Sequence, residues 1–239
     1  LVGLLLAFIN ENNHVREKIR QILQELRDEN KVDFLSDRGE YKIINQDESS
    51  NIKNQNNIFR DHLTKIVSNY KKSRMNEKFK QHELGNIMRH QLPDLLEKKI
   101  DSYFNIESYY IKGSIGQSNW AYVPWLAIFN NDITKSAQKG VYIVYLFSRD
   151  MSNVYLTFNQ GVTKSTEEEI INTRDKLREK LDLKYFKVDN NIDLEDKDKG
   201  KKYEMSTIAY KKYKAKDLIN NQITDKELNW TKKGIINQF

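Results

Sequence analysis

The sequence has no cysteine, only two prolines and nine glycines, and only four histidines in 239 residues. Without cysteine there is neither a disulfide framework nor a thiolate metal site, and an intracellular, cytoplasmic location is the simpler expectation. The histidines are scattered and do not make a zinc-ligand spacing, so no metal is expected. Long apolar runs are missing too. The opening Leu1–Ile9 is too short to span a bilayer and lacks the basic flank and cleavage site of a signal peptide. It reads as a helix packed on the segment after it, and no membrane partner is expected. The first residue is not methionine, from which the chain is expected to be part of a longer one.

What is present is a core-sized share of apolar residues, 38%, and a basic balance of 40 Lys and Arg against 34 Asp and Glu, a net charge of +6. The length suits two domains. The charge suits an anionic partner such as nucleic acid, although both signs are spread over the surface.

From Asn13 onward, Val15, Ile19, Ile22, Leu23 and Leu26 fall on one helical stripe, with Asn12 or Asn13 able to cap its start. The opposite face carries Arg16, Lys18, Arg20, Gln21 and Gln24. The stretch KVDFLSDRGEYKII then reads as two short strands about a turn at Asp37-Arg38-Gly39. A helix succeeded by such a hairpin is the second half of a winged helix, in which the helix enters the major groove and the hairpin approaches the backbone. The residues Lys18 to Asp28 and Phe34 to Lys42 resemble the winged-helix domain of Dam-replacing-type, methyl-directed restriction endonucleases. Ile22 stands where that pattern has Gln, and Asp37 is inserted beside Arg38. The resemblance implies a DNA-binding segment over residues 1–45, with contacts from Asn13, His14, Arg16, Lys18, Arg20, Gln21 and Arg38; a plain packing unit is the other reading.

Residues 46–57, QDESSNIKNQNN, are polar without periodicity and read as a linker. Helical spacing returns with Phe59, Leu63, Ile66, Val67 and Tyr70, and two further helices are expected around Pro93. Lys71, Lys72, Arg74, Lys78 and Lys80 either touch a DNA backbone or merely solvate a helix face.

The stretch from Lys112 to Gly161 holds two of the three Trp and four of the nine Gly. Tyr109–Lys112 alternates like a strand, and a loop with Gly113 and Gly116 comes after it. That loop is no phosphate-binding Walker loop, because no Gly-Lys-Ser/Thr succeeds it. Pro124 keeps Tyr122–Phe129 at a strand start or sheet edge. Val141–Phe147 and Val154–Asn159 read as a hairpin. Tyr142 and Tyr145 must point to opposite faces. Trp120, at a loop end, is expected to be exposed, while Trp125 and Leu146 suit a core as well as a pocket. A helix from Ser165-Thr166 to about Leu181, a solvated charged loop over 189–202, a strand over 203–213 and a short helix from Asp217 complete the reading.

The motifs GSIGQSNWAYVPWLAIF, ITKSAQKGVYIVYLF and VYLTFNQGVT are similar to the N-terminal DNA-recognition domain of McrB-type modification-dependent restriction systems. That resemblance implies, for residues 58–239, a curved antiparallel sheet with flanking helices that binds modified double-stranded DNA and extrudes the modified base, 5-methylcytosine by family analogy, into an aromatic pocket. It implies Gln117 as the probing residue and Trp125, Tyr142 and Leu146 as pocket walls; Lys112, Ser114, Ser118, Asn119 and Trp120, polar, basic or aromatic residues of the same loop and strand, are the expected DNA contacts beside them. Flipping needs such walls, a polar group for the Watson–Crick edge and a residue to fill the gap in the duplex. The expected fold class is α+β, a partial winged helix and then that sheet domain.

A nuclease centre needs acidic metal ligands on strands with a lysine nearby. Glu40-Tyr41-Lys42 lies in the wing, and Asp94, Glu97 and Lys99 lie in a helical stretch, so neither fits. No catalytic residue and no cofactor are expected, cleavage being left to a nuclease domain or subunit elsewhere. A complete metal-dependent endonuclease with an unrecognised centre and a protein-interaction module are the alternatives.

Overall fold

The computed structural model describes residues 32–35, 40–43, 46–101, 106–163, 165–181, 183 and 186–220. The amphipathic helix with Asn13, His14, Arg16, Lys18, Arg20 and Gln21, and the turn residue Arg38, lie outside the described residues. The chain divides into two compact units, Leu1–Gln55 and Asn56–Phe239. In the first, β1 (Val32–Leu35) pairs antiparallel with β2 (Glu40–Ile43), Val32 opposite Ile43, which is the hairpin expected about residues 37–39.

Residues 46–57 are helical, not irregular: α1 runs Gln46–Asn76. Neither Pro nor Gly interrupts these residues, and extending a helix already nucleated by an apolar stripe costs little per residue. In the second unit that stripe buries Phe59, Leu63, Ile66, Val67 and Tyr70. The stretch around Pro93 also departs from expectation. Helix α2 (Glu83–Asn86) passes through a wide π-type turn, Ile87–Gln91, into α3 (Leu92–Asp101), so the helical path continues through Pro93. The Leu92 N–H donates to Ile87 O, five residues back. A regular helix would press the Pro93 ring on the carbonyl four residues earlier, and the wide turn relieves that crowding.

A five-stranded antiparallel open sheet comes next, in simple sequential order: β3 (Tyr109–Ser114), β4 (Trp125–Asn130), β5 (Val141–Phe147), β6 (Asn153–Gln160) and β7 (Thr207–Lys214). The unit is α+β, as expected. Alternation along the strands feeds two cores. Leu126, Ile128, Ile143, Tyr145, Phe147 and Leu156 meet the apolar stripes of α1 to α3. Ala127, Phe129, Tyr142, Val144, Leu146 and Tyr155 form a second cluster on the other face, completed by Ile192 and Leu194. Tyr142 and Tyr145 therefore do lie on opposite faces.

Helix α4 (Glu167–Lys180) starts at the Thr166 capping box, with Glu167, Glu168 and Glu169 in its first turn. Two expectations fail beyond it. Residues 189–202 are not merely a solvated loop, because Ile192, Leu194 and Asp196 are buried and α5 (Lys199–Ser206) begins within them. The last strand starts at Thr207 rather than Tyr203. A buried polar network decides this. The Ser206 hydroxyl donates to Asn159 Oδ1 at 2.6 Å and the Thr207 hydroxyl to Tyr203 O at 2.7 Å, beside a register shift in β6 at Phe158/Asn159. The short α6 (Ala215–Ile219) succeeds β7 directly. No helix among the described residues is long and apolar enough to cross a membrane.

Gly113 marks where β3 meets the wide turn: a Cβ there would lie 1.7 Å from Met88 O, backbone that cannot yield. Gly113→Ala is expected to destabilise the unit by about 1–3 kcal/mol, the usual range for overpacking. Urea unfolding of the two proteins measures it.

Candidate nucleic-acid interface

Between β3 and β4 the chain forms a finger fastened at its base. Ile115 is wholly buried, and the Ala121 N–H donates to Ile115 O at 2.7 Å, closing the loop on itself. The Tyr70 hydroxyl of α1 donates to Ala121 O at 2.9 Å. Burial raises the Tyr70 pKa above its ordinary value, against the pull of Arg74 and Arg89, so this hydroxyl stays a donor. Arg89, in the wide turn, donates to Gly116 O at 3.2 Å, and the Gly116 N–H donates to Ser114 Oγ at 3.2 Å. Gly116 has φ of 110° and a Cβ on it would lie 1.9 Å from Asn119 O, so glycine is required on both counts. Gln117, Ser118 and Asn119 remain exposed at the tip.

Trp120, expected to be exposed, is instead the finger's anchor. Its indole packs edge-on against Tyr70, Phe79 and His82, with ring centroids 5.2, 5.7 and 4.8 Å away, and its Nε1–H donates to Glu77 O at 3.1 Å. The His82 ring, 2.5 Å from Glu77 Oε2, holds that carboxyl below its ordinary pKa. The contacts come from a distant helix end, which no local pattern announces.

A cavity of about 620 Å³ opens beside the finger, over the second face of the sheet. Its floor is Lys112, Ser114, Trp125 and Phe129 from β3 and β4, where alternation puts all four on one face. The finger supplies Gly116, Gln117 and Asn119 to Val123, so Trp120 does reach its edge. The far walls are Lys135 to Gln138 and, from the α5 end, Asp196, Asp198, Lys199 and Tyr203. Of the expected pocket walls, Trp125 lines the cavity; Tyr142 and Leu146 do not. Tyr142 is 2% exposed, packs with its ring tilted against Phe129 at 5.1 Å and donates its hydroxyl to Ala137 O, and its burial raises its pKa. Leu146 is covered by the cluster containing Ile192 and Leu194, a segment remote from it in sequence. Phe129 takes their place, and the i, i+4 spacing from Trp125 in one strand was the signal for it.

Sequence reasoning also missed the rim. Tyr122 is 49% exposed, yet its ring is in contact with two guanidinium groups, Arg74 at 4.7 Å and Arg149 at 4.1 Å from its centroid. Arg149 is held in turn by the buried Asp196 at 3.3 Å, whose other oxygen accepts the Gly200 N–H at 2.9 Å. Arg74 thus belongs to the rim. One of the two carboxylates in the cavity is thereby neutralised, which leaves Lys112, Lys135 and Lys199 to dominate its field.

The second unit is thus an α+β domain in which a fastened polar finger stands beside a cavity lined by cationic and aromatic side chains. The chain belongs to the MrcB-like, N-terminal domain family, whose model matches residues 65–231. Residues 4–43 match the Dam-replacing HTH domain. A comparison with curated proteins finds no match. The two families together point to a DNA-binding role in a restriction system.

Trp120→Ala should cost about 3 kcal/mol, the scale for losing a packed aromatic, whereas Gln117→Ala at the exposed tip should leave stability within about 0.5 kcal/mol. Thermal melting of the two variants separates anchor from tip.

Proposed function

We propose that this chain is the specificity portion of a modification-dependent restriction system, and that it reads a modified base, 5-methylcytosine or a close analogue, by taking it out of the duplex into the cavity over β3 and β4. The observation that carries this reading is the pairing of a fastened finger with an adjacent aromatic cavity. Extruding a base costs a few kcal/mol of stacking and pairing, which a protein offsets by stacking the base on rings and filling the gap it leaves. Trp125 supplies the accessible ring, and the buried Phe129 backs the floor beside it. Ser136, Gln138 and Asn119 offer donors and acceptors to a Watson–Crick edge. Gln117, at a tip whose base is locked by Tyr70, Arg89 and Trp120, is the residue to enter the duplex and hydrogen-bond the orphaned partner base. Pre-locking matters, because a loop ordered only on binding would lose affinity to that ordering. The lysines of the cavity, Lys112, Lys135 and Lys199, face the phosphates, which fix register but carry no sequence information. In this reading the DNA contacts of the N-terminal segment, Arg38 included, add affinity, and cleavage is done by a nuclease domain or subunit beyond this chain, in the cytoplasm.

The test is a binding panel of otherwise identical duplexes carrying cytosine, 5-methylcytosine, 5-hydroxymethylcytosine or N6-methyladenine at one site. Preference for a cytosine modified at carbon 5 is expected, and equal affinity for all four sinks the reading. Trp125→Ala, partly exposed and so replaceable without collapse of the core, should remove about 1–3 kcal/mol of that preference, the scale of one base stacked on one ring, and leave salt-dependent binding to unmodified duplex in place. A 2-aminopurine placed next to the modified cytosine should brighten on binding if that cytosine leaves the stack.

A further inference from the structure

A second cavity, of about 600 Å³, lies on the other side of the finger. It shares Lys112, Ser114, Gly116, Gln117 and Trp125 with the first, so one ridge separates the two. Its remaining lining comes from the turn 79–81, from Arg89, and from Gly113 and Ser118. The chemistry of the two cavities differs in one respect. The first includes the carboxylates of Asp196 and Asp198, whereas the second is lined by three cations, Lys80, Arg89 and Lys112, and by no acidic residue among those described. The acidic residues next in sequence are already engaged: Glu77 by His82, and Glu83 by Lys65. The neutral polar groups, Gln81, Ser114, Gln117 and Ser118, add hydrogen-bond donors.

The cations sit on walls that are held in place. Arg89 extends from the wide turn, lies over the Phe79 ring at 5.2 Å and spends one Nη on Gly116 O, which leaves other donors of its guanidinium for a ligand. The turn bearing Lys80 is pinned from both sides, by Trp120 on Glu77 O and by Phe79 and His82 against the Trp120 ring. Lys112 stands on β3, two residues before Ser114. A half-enclosed site with three convergent cations, no carboxylate and rigid walls suits a phosphate oxyanion.

We propose that this second cavity is a phosphodiester subsite, which grips the DNA backbone beside the nucleotide read in the first cavity. The proposal rests on the reading of the first cavity for the identity of that nucleotide, but not for the phosphate itself. The shared ridge of Lys112, Ser114, Gly116 and Gln117 then lies between base and phosphate, so the strand is held on both sides of the finger and its polarity relative to the sheet is set. The wide turn imposed by Pro93 thereby acquires a use: it carries Arg89 into both the finger's base and the phosphate grip.

The experiment is fluorescence anisotropy of the full chain with a labelled duplex over a salt series, because each neutralised phosphate contributes about 0.9 to the slope of log K against log salt. Lys80→Ala, an exposed residue with no part in the core, should lower that slope by about 0.9 and weaken binding to modified and unmodified duplex by the same factor. Lys80→Arg should restore both. Lys80→Ala with Arg89→Gln should lower the slope by about 1.8. Lys176→Ala, an exposed cation of α4 that lines neither cavity, should leave it unmoved. An unchanged slope in Lys80→Ala overturns the subsite, and so does an equal drop in Lys176→Ala, which would indicate a diffuse field and no local grip. The ratio of affinities for modified and unmodified duplex tests base reading separately. A subsite without modification preference would show as a slope change with equal affinities, and failure to bind either duplex at low salt overturns both proposals.

Discussion

The second unit depends on burying both faces of one antiparallel sheet. Antiparallel sheets commonly leave one face to water and then alternate apolar with polar residues. Here β5 is apolar or aromatic throughout, VYIVYLF, and β6 is buried from Val154 to Gln160 even where it carries Thr157, Asn159 and Gln160, so both sets of side chains need cover. Helices α1 to α3 supply it on one face. On the other it comes from the Ile192–Leu194 segment and Tyr203 of α5, with Arg178 of α4 donating to Asp189 O and Ile208 O to hold that segment's approach to β7. The second cover is shorter than the sheet. Where it ends, over β3 and β4, Lys112, Ser114 and Trp125 replace the buried apolar residues, and the cavity is the uncovered remainder of that face.

The finger arises from the same economy of contacts. β3 can approach the helical layer closely because Gly113 has no side chain against Met88 O, and that approach brings Arg89 to Gly116 O and Tyr70 to Ala121 O. Trp120 then closes the loop onto the end of α1. Rigidity at the base and exposure at Gln117, Ser118 and Asn119 thus have one origin: the groups that could fold the tip back are occupied in fastening its root. The rim contacts of Arg74, Tyr122 and Arg149 are organised the same way, through the buried carboxylate of Asp196, which anchors Arg149.

Sequence reading found the elements whose signals are local. The α1 stripe from Phe59 to Tyr70, the capped α4, the β5–β6 hairpin, the β1–β2 hairpin and the opposite facing of Tyr142 and Tyr145 come from helical and strand periodicity and from turn residues, and the motifs around Gly116 and Trp125 carried the family. Finger residues such as Gln117 and the floor residue Trp125 were legible for that reason. Errors gathered where the deciding partner is remote. Tyr142 and Leu146 looked like walls until Ile192 and Leu194 covered the strand they occupy. Trp120 looked exposed until the end of α1 enclosed it. Residues 203–206 looked like strand until Asn159 drew Ser206 and Thr207 into a polar network.

The amino-acid sequence by itself determined the α+β class, the two hairpins, the glycines at 113 and 116 and the basic, aromatic character of the Lys112–Gly161 stretch, because these depend on side-chain size, charge and periodicity within a few residues. Tertiary structure alone decided which aromatics face a ligand and which face the core, which arginines are held at the rim and at the finger's base, and that the finger divides a mixed-charge cavity from a purely cationic one. Those outcomes depend on segments brought together from distant parts of the chain, whose mutual cover is a property of the packed molecule and not of any stretch within it.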